Sequence, residues 1–412
     1  MIAAFANAPA HWRALPLKRT VSSCVNGTWG GEPHGGPDDL VCVRVADFDR
    51  HRLRVDLANP TLRFVPAAYR RGRMLGPGDL LLEKSGGGGD HPVGAVVLYD
   101  GGVPAVCSNF IARLAVAPGF HARYLSYLHA ALYRLGINRR SISQTTGIQN
   151  LDTESYLQEV VRIPECVEQR RIAARLDGET ARLDRLANVK HRLADLLRER
   201  REALITQTIS RAADRSTITR FKFIRSGALL YGANQPADSR SAEDPRYIRI
   251  TDLNDDGSLR EDTFHSLPEN LAAPYLLHDG DLLLARSGAT VGKAFRYRRE
   301  WGRACFAGYL IRLRPDKRKI LPDYLHYFTQ SRPYWDQVKL HTVQSTIANV
   351  SAERYANFLL PLPSLNEQQT AVDYLNGAVG NVDRLLEIAK RQISLLDQYR
   401  ATRIVNAITQ GL

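Results

Sequence analysis

Gly78-Asp79-Leu80-Leu81-Leu82-Glu83-Lys84-Ser85-Gly86 returns as Gly280-Asp281-Leu282-Leu283-Leu284-Ala285-Arg286-Ser287-Gly288, 202 positions further on. Other matches keep the same order. Val43-Arg44-Val45-Ala46-Asp47 corresponds to Ile248-Arg249-Ile250-Thr251-Asp252, and Tyr124-Leu125 to Tyr324-Leu325. Glu168-Gln169 and Asp184-Arg185-Leu186 recur 199 positions later as Glu367-Gln368 and Asp383-Arg384-Leu385. The chain is therefore an internal duplication. Two similar units in one chain need not bind the same thing.

Each copy has two parts. The first is mixed and punctuated by glycine. Alternating segments at Leu40–Val45 and Arg246–Ile250 read as strands, and Gly78-Asp79 and Gly280-Asp281 as turns feeding strands Leu80–Leu82 and Leu282–Leu284. Helices are expected over Ala122–Leu135 and Pro322–Gln330. The second part is a long helix. Between Glu168 and Ser210 there is no proline and a single glycine, Gly178.

Spacing by seven aligns Leu176, Leu183, Leu197 and Leu204, interrupted by Lys190, beside a column of Ala173, Thr180, Ala187 and Ala194. In the second copy the columns are Val372, Val379, Leu386 and Ile393, and Leu375, Val382, Ala389 and Leu396. Sustained heptads of this kind form a helix-pair seam. The alternative is two amphipathic helices docked separately on their own globules. Pro164 and Pro363 stand just before the helices, where proline marks a start.

The fold expected is α+β: two mixed α/β domains separated by two long helices that form an antiparallel coiled coil, the copies related by a pseudo-two-fold axis. The boundaries expected are 1–163 and 213–362 for the domains, and 164–212 and 363–412 for the helices. A helix of about 43 residues is roughly 65 Å long. That length predicts a ruler commensurate with up to two turns of duplex, two half-sites and an unread gap.

The net charge of +13 favours a polyanionic partner, and the arginines fall in short clusters such as Arg70-Arg71-Gly72-Arg73 and Arg296-Tyr297-Arg298-Arg299. The five cysteines are scattered with no C-x-x-C pair, which implies neither a zinc site nor a disulfide framework. No apolar run is long enough for a membrane span, and the location expected is the cytoplasm.

Together these features resemble the specificity subunit of Type I restriction-modification enzymes. The resemblance rests on Gly280 to Gly288 continuing into Ala289-Thr290-Val291-Gly292-Lys293, and on Pro361-Leu362-Pro363-Ser364-Leu365-Asn366-Glu367-Gln368 opening a long helix. It extends over the domain-then-helix plan of both copies. The first copy departs from it, with Ser85-Gly86-Gly87-Gly88-Gly89 in the loop and no doubled proline at Arg162-Ile163-Pro164.

The resemblance implies two target recognition domains, each reading half of a bipartite, asymmetric site on double-stranded DNA. It implies that the helices dock two methyltransferase subunits, to which two restriction subunits can be added. S-adenosylmethionine, ATP and magnesium would then belong to the partners, with no cofactor or metal on this chain and no catalytic residue.

Candidate DNA-binding residues lie beside the repeated loops. Lys84, Ser85, Arg286 and Ser287 occupy equivalent positions, and Lys293 follows the second loop. Gln144-Thr145-Thr146 pairs with Gln344-Ser345-Thr346, with Arg139, Arg140 and Lys339 just upstream. Such groups can bond phosphates or base edges, or can simply be surface charges and loop formers. Gly288-Ala289-Thr290-Val291-Gly292-Lys293-Ala294 is one residue short of a P-loop and lacks its Ser or Thr. It reads as a tight structural loop or as a backbone cradle for a DNA phosphate. Leu186 and Leu193 broaden the apolar stripe of the first helix, either to dock partners or to pack on the globules. The eleven histidines show no metal-ligand spacing, and His121, His129, His326 and His341 read as surface or packing residues. The rival readings are a catalytic DNA methyltransferase or nuclease with duplicated DNA-binding domains, and a stand-alone DNA-binding protein.

Overall fold

The computed structural model describes residues 2–87, 91–145, 147–254, 257–342 and 349–411. They divide into two compact units, Met1–Val189 with Gln392–Leu412, and Lys190–Arg391. The division falls inside both long helices, Cys166–Ala213 and Leu365–Gln410. Each unit thus joins one globule to one stretch of each helix, whereas the sequence reading set helices and domains apart.

In the first unit, strand Arg13–Pro16 pairs antiparallel with Val160–Ile163, closing the globule where the long helix begins. The main sheet has six strands in the order Val21–Asn26, Ile111–Val116, Leu80–Glu83, Val96–Leu98, Arg54–Val55 and Phe48–Asp49. Strand Asp39–Val43 runs parallel to Ala105–Cys107, and a hairpin of Ile142–Thr145 and Ile148–Leu151 pairs with Ser85–Gly86. Helix Ala122–Arg134 buries Tyr124, Leu125, Tyr127, Leu128 and Leu132, an i, i+3, i+4 face that meets the sheet in the core.

The second unit repeats this plan with fewer strands. Thr217–Arg220 pairs with Leu359–Leu362. A four-stranded sheet runs Leu230–Tyr231, Leu310–Leu313, Leu282–Ala285, Ala294–Arg296. Arg246–Ile248 is parallel to Ala304–Phe306, and Pro322–Phe328 is the counterpart of the helix at Ala122.

Three of the repeated sequence signatures do the same structural job in each unit. The strands expected at Leu40–Val45 and Arg246–Ile250 stop at Val43 and Ile248, because the next residues turn into 3-10 helices. Asp47 drives the first turn: its carboxylate accepts the Arg44 amide at 2.7 Å and pairs with the Arg44 guanidinium. Asp252 does the same for Arg249, at 2.8 Å. Gly78 and Gly280 adopt φ of +98° and +91°, open to glycine. The carboxylates that follow are buried. Asp79 accepts the Gly76 amide and pairs with Arg113, and Asp281 accepts the His278 amide and pairs with Arg314.

The third signature is a latch. Gln169 and Gln368 are buried at the start of the long helices. Gln169 Oε1 accepts the amide of His121, the residue that caps helix Ala122–Arg134, and its Nε2 donates to the Pro164 carbonyl. Gln368 Oε1 accepts the amide of Leu321, capping Pro322–Phe328, and its Nε2 donates to the Lys319 and Pro363 carbonyls. One side-chain amide thereby orients the long helix on its globule. The expected globule helices extend slightly too far, since they end at Arg134 and Phe328.

The helices pair antiparallel within each unit. In the first, Glu179 meets Arg403 at 3.0 Å and Asp184 meets Arg400 at 3.4 Å, so the second helix descends as the first rises. Ala173 and Leu176 share a core with Ile404, Ala407 and Ile408. In the second unit Ala194, Leu197 and Leu204 pack with Val382, Leu386 and Ala389. Val372, Leu375 and Val379 join Ile205 and Ile209 there. Leu183, Ile393 and Leu396 are half-buried. The separately docked alternative does not describe these helices.

Candidate nucleic-acid interface

In the first unit the strand Leu80–Glu83 emerges from the core at Lys84, which is half-buried, and Ser85. Ser85 Oγ donates to Oδ1 of Asn150, and the two residues are partners in the strand pairing. With Cys24, Asn26 and Glu154 they line a polar cleft of about 520 Å³. Partial desolvation pushes the Cys24 thiol up, against the pull of Lys84.

The hairpin at Ile142–Leu151 stands beside this cleft, and Ser143, Gln144 and Asn150 are exposed. Arg139 and Arg140, both exposed, lie in the 3-10 turn immediately before it. Arg140 reaches Glu159 at 3.6 Å, a weak surface pair that leaves its charge available. Thr145 continues the strand. Cationic and amide groups along a two-stranded ribbon are the chemistry that meets phosphates and groove edges.

The second unit builds its counterpart from Arg286, Ser287 and Asn349. An antiparallel bridge links Ser287 to Asn349 just as Ser85 pairs with Asn150. Arg286 is more constrained than Lys84. Its guanidinium lies 4.9 Å from the Tyr231 ring centroid, and its carbonyl accepts the Val350 amide. The Tyr231 hydroxyl in turn accepts the Ala352 amide. Lys339 is exposed near the end of helix Arg332–Thr342. Gln344 and Ser345, with Thr346 and Thr146, lie outside the described residues.

The loop Gly288–Gly292 is a structural turn. Gly288 and Gly292 have φ of +78° and +87°, and a Cβ at Gly292 would come 2.6 Å from Val338. The amides of Val291, Gly292 and Lys293 donate to the carbonyls of Gly288, Ala285 and Thr290. The Tyr334 hydroxyl donates to the Gly292 carbonyl. These three amides are spent inside the protein, and the segment runs on into strand Ala294–Arg296 rather than a helix. This geometry overturns both the P-loop reading and the backbone-cradle reading for these amides. Lys293 itself is half-buried.

The histidines divide by environment. His121 Nδ1 accepts the Tyr124 amide as a helix cap. His129 is fully buried against the Tyr156 hydroxyl at 2.8 Å, and burial pushes its pKa down to about 4. Burial lowers His326 to about 3, with Arg296 and Arg298 adding to the effect. Among the described residues no group of three or more His, Cys, Asp or Glu side chains could hold a metal ion.

Sequence reasoning missed Phe110 and Tyr309. They stand 199 positions apart, and their carbonyls accept the amides of Lys84 and Arg286. The offset shared with the helix signatures was the signal that could have found them. The apolar stripe of the long helices is also broader than expected. Leu186 and Leu193 are exposed rather than packed on the globules. In the first unit Leu186 and Val189 are accompanied by exposed Leu395 and Tyr399, and in the second Leu193 and Leu196 by exposed Leu385 and Ile388.

Comparison with known proteins shows what parts of the chain are similar to. Residues 231–396 match the family described as the Type I restriction modification DNA specificity domain. The specificity subunit of the StySPI Type I restriction enzyme of Salmonella potsdam is 23% identical over 313 residues. That match covers 71% of this chain and spans 66% of the relative's length, just under two thirds. A chain from a structure concerned with assembly and conformational transition of the type I R-M system aligns with a TM-score of 0.71 at 16% identity, covering 98% of this chain and 99% of that one. The HsdS subunit from Thermoanaerobacter tengcongensis aligns with a TM-score of 0.51 at 16% identity, over 98% of both chains. No helix is long and apolar enough to cross a membrane among the described residues.

Proposed function

We propose that the protein is the sequence-reading subunit of a Type I restriction-modification system: residues 231–396 match the Type I restriction modification DNA specificity domain, and the chain is similar in fold to a chain of a type I R-M system and to an HsdS subunit. The observation that carries the reading is the polar constellation built twice, Lys84 with Ser85–Asn150 and Arg286 with Ser287–Asn349, once in the matched domain and once outside it. Each unit reads one half of a bipartite, asymmetric DNA target. Residues that differ between the two constellations select the bases, and shared ones meet what all DNA has in common.

The chain supplies the address and its partners the chemistry. Two methyltransferase subunits bring S-adenosylmethionine to the target adenines, and restriction subunits bring ATP and magnesium. The complex works in the cytoplasm. The exposed Leu186, Val189, Leu395 and Tyr399 of one unit, and Leu193, Leu196, Leu385 and Ile388 of the other, are the apolar helix surface offered to those partners.

Methylome sequencing of a host carrying the chain with its methyltransferase, against a host lacking the chain, tests this directly. A split modified-adenine motif present only with the chain is expected. Methylation independent of the chain refutes the reading.

A further inference from the structure

Each unit displays a large exposed aromatic residue at the same place in the repeat, bonded through its backbone to the candidate DNA-binding cation. Phe110 is 45% exposed and Tyr309 65% exposed. Both stand just before an inner strand of the sheet, Ile111–Val116 and Leu310–Leu313. Both turns are tight. The Ile111 amide donates to the Ser108 carbonyl at 3.0 Å, and the Leu310 amide to the Ala307 carbonyl at 2.9 Å. The carbonyl of the aromatic residue itself is clamped from the other side by the Lys84 amide at 2.8 Å, or the Arg286 amide at 3.1 Å. The backbone is pinned in both directions while the ring faces solvent.

The neighbourhood identifies the occupant. Bonded through its backbone to each aromatic residue is a cation, Lys84 or Arg286, followed in sequence by a serine that pairs in the strand ladder with an asparagine, Ser85 with Asn150 or Ser287 with Asn349. Among these shared groups, only the ring is apolar. What Phe110 and Tyr309 have in common is the aromatic face, because only one carries a hydroxyl. A group shared by two units that read different sequences acts on a feature that every base has, and every base has a π face. An exposed aromatic ring on a pinned backbone, next to a phosphate-seeking cation, can stack on a base or wedge into a base step, where the duplex is opened or bent.

We propose that Phe110 and Tyr309 are base-stacking residues, one per unit, that contact an unstacked base or a base step in each half of the target. The proposal rests on the DNA-reading function above and adds residues and a mode of contact to it.

The test uses the assembled complex of this chain with its methyltransferase subunits and a duplex bearing the motif found by methylome sequencing. Binding by the unaltered complex is measured first. If it does not bind that duplex, the DNA-reading function itself fails and this proposal fails with it. If it binds, Phe110→Ala and Tyr309→Ala are each expected to weaken binding by about 10-fold, within the range measured for base–aromatic stacking. Phe110→Tyr and Tyr309→Phe are expected to keep it, and the melting temperature of all four variants is expected to stay unchanged. A 2-aminopurine probe stepped through each half-site is expected to change fluorescence with the unaltered complex and not with the matching alanine variant. Alanine variants that bind as tightly as the unaltered complex overturn the proposal. Loss of methyltransferase subunits from those variants also overturns it, because it assigns the rings to a protein contact.

Discussion

Arg201 meets Asp383 at 2.8 Å, and their counterparts 199 positions away, Arg400 and Asp184, meet at 3.4 Å. One ion pair is thus made twice with its partners exchanged between the helices, as an antiparallel pairing of duplicated helices requires. The neighbouring seam position has diverged. Glu179 pairs with Arg403 in the first unit, while the same positions in the second unit are Ala378 and Leu204, which join an apolar cluster.

That divergence makes a test of the seam. Arg403→Leu alone is expected to destabilise the first unit by about 1 kcal/mol, since it leaves Glu179 only its intrahelical Arg175. Glu179→Ala combined with Arg403→Leu installs the apolar version, and is expected to return within about 0.5 kcal/mol of the starting protein. Denaturant titration of the three variants checks it. A double variant weaker than the single one would mean that the two positions do not face each other.

The glutamine latch predicts a larger effect. Gln368→Ala leaves the Leu321 amide and the Lys319 and Pro363 carbonyls without this partner. The cost expected is about 2–4 kcal/mol, from unpaired buried polar groups. Hydrogen exchange at the Leu321 amide is expected to accelerate. Gln169→Ala should do the same at His121.

Two further glycines are steric keystones. A Cβ at Gly27 would lie 2.2 Å from the carbonyl oxygens of Cys107 and Ser108, and one at Gly232 would lie 2.3 Å from that of Ala307. Gly27→Ala or Gly232→Ala must therefore push apart backbone that the next amide binds, Thr28 to Cys107 and Ala233 to Phe306. A loss of more than about 3 kcal/mol is expected for each, placing them in the severe tail of single substitutions. Thermal melting of each variant measures it.

Acid should weaken the first unit through His129. Its pKa is lowered in the folded state to about 4 from an ordinary 6.5, so the unfolded chain binds more protons between those values. The stability it contributes is present above pH 6.5 and lost as pH falls towards 4, by about 3 kcal/mol in total. Melting measured from pH 7 to 5 should fall, and His129→Gln should flatten that slope. An unchanged slope would show that His129 does not set it.

The sequence exposed the repeat and the helix seam because both are periodic. Leu176, Leu204, Val372 and Leu386 announce themselves by sevens, and the structure buries them. It concealed what the repeated polar residues do, because their partners are distant in sequence. Asp79 is completed by Arg113, and its repeat Asp281 by Arg314, which is not the repeat of Arg113. Gln169 finds its partner amide 48 positions earlier. Arg400 and Arg403 fall in the seam columns, yet a search for apolar heptads passes over them. The DNA-facing candidates were legible only as positions beside a repeated loop. The loop at Gly288 was deceptive, since its spacing imitates a phosphate site while the amides of Val291, Gly292 and Lys293 serve the fold.

The division of the chain has a consequence for its manufacture. Ile404, Ala407 and Ile408 belong to the same core as Phe5 and Trp12, and all of the second unit lies between that stretch and the rest of the first. At ordinary translation speeds, roughly 10–40 s pass between the emergence of Val189 and of Gln392. During that interval the nascent first globule waits at the ribosome with an apolar face uncovered, while the second, contiguous in sequence, can already fold. The amino-terminal half is made first and finished last.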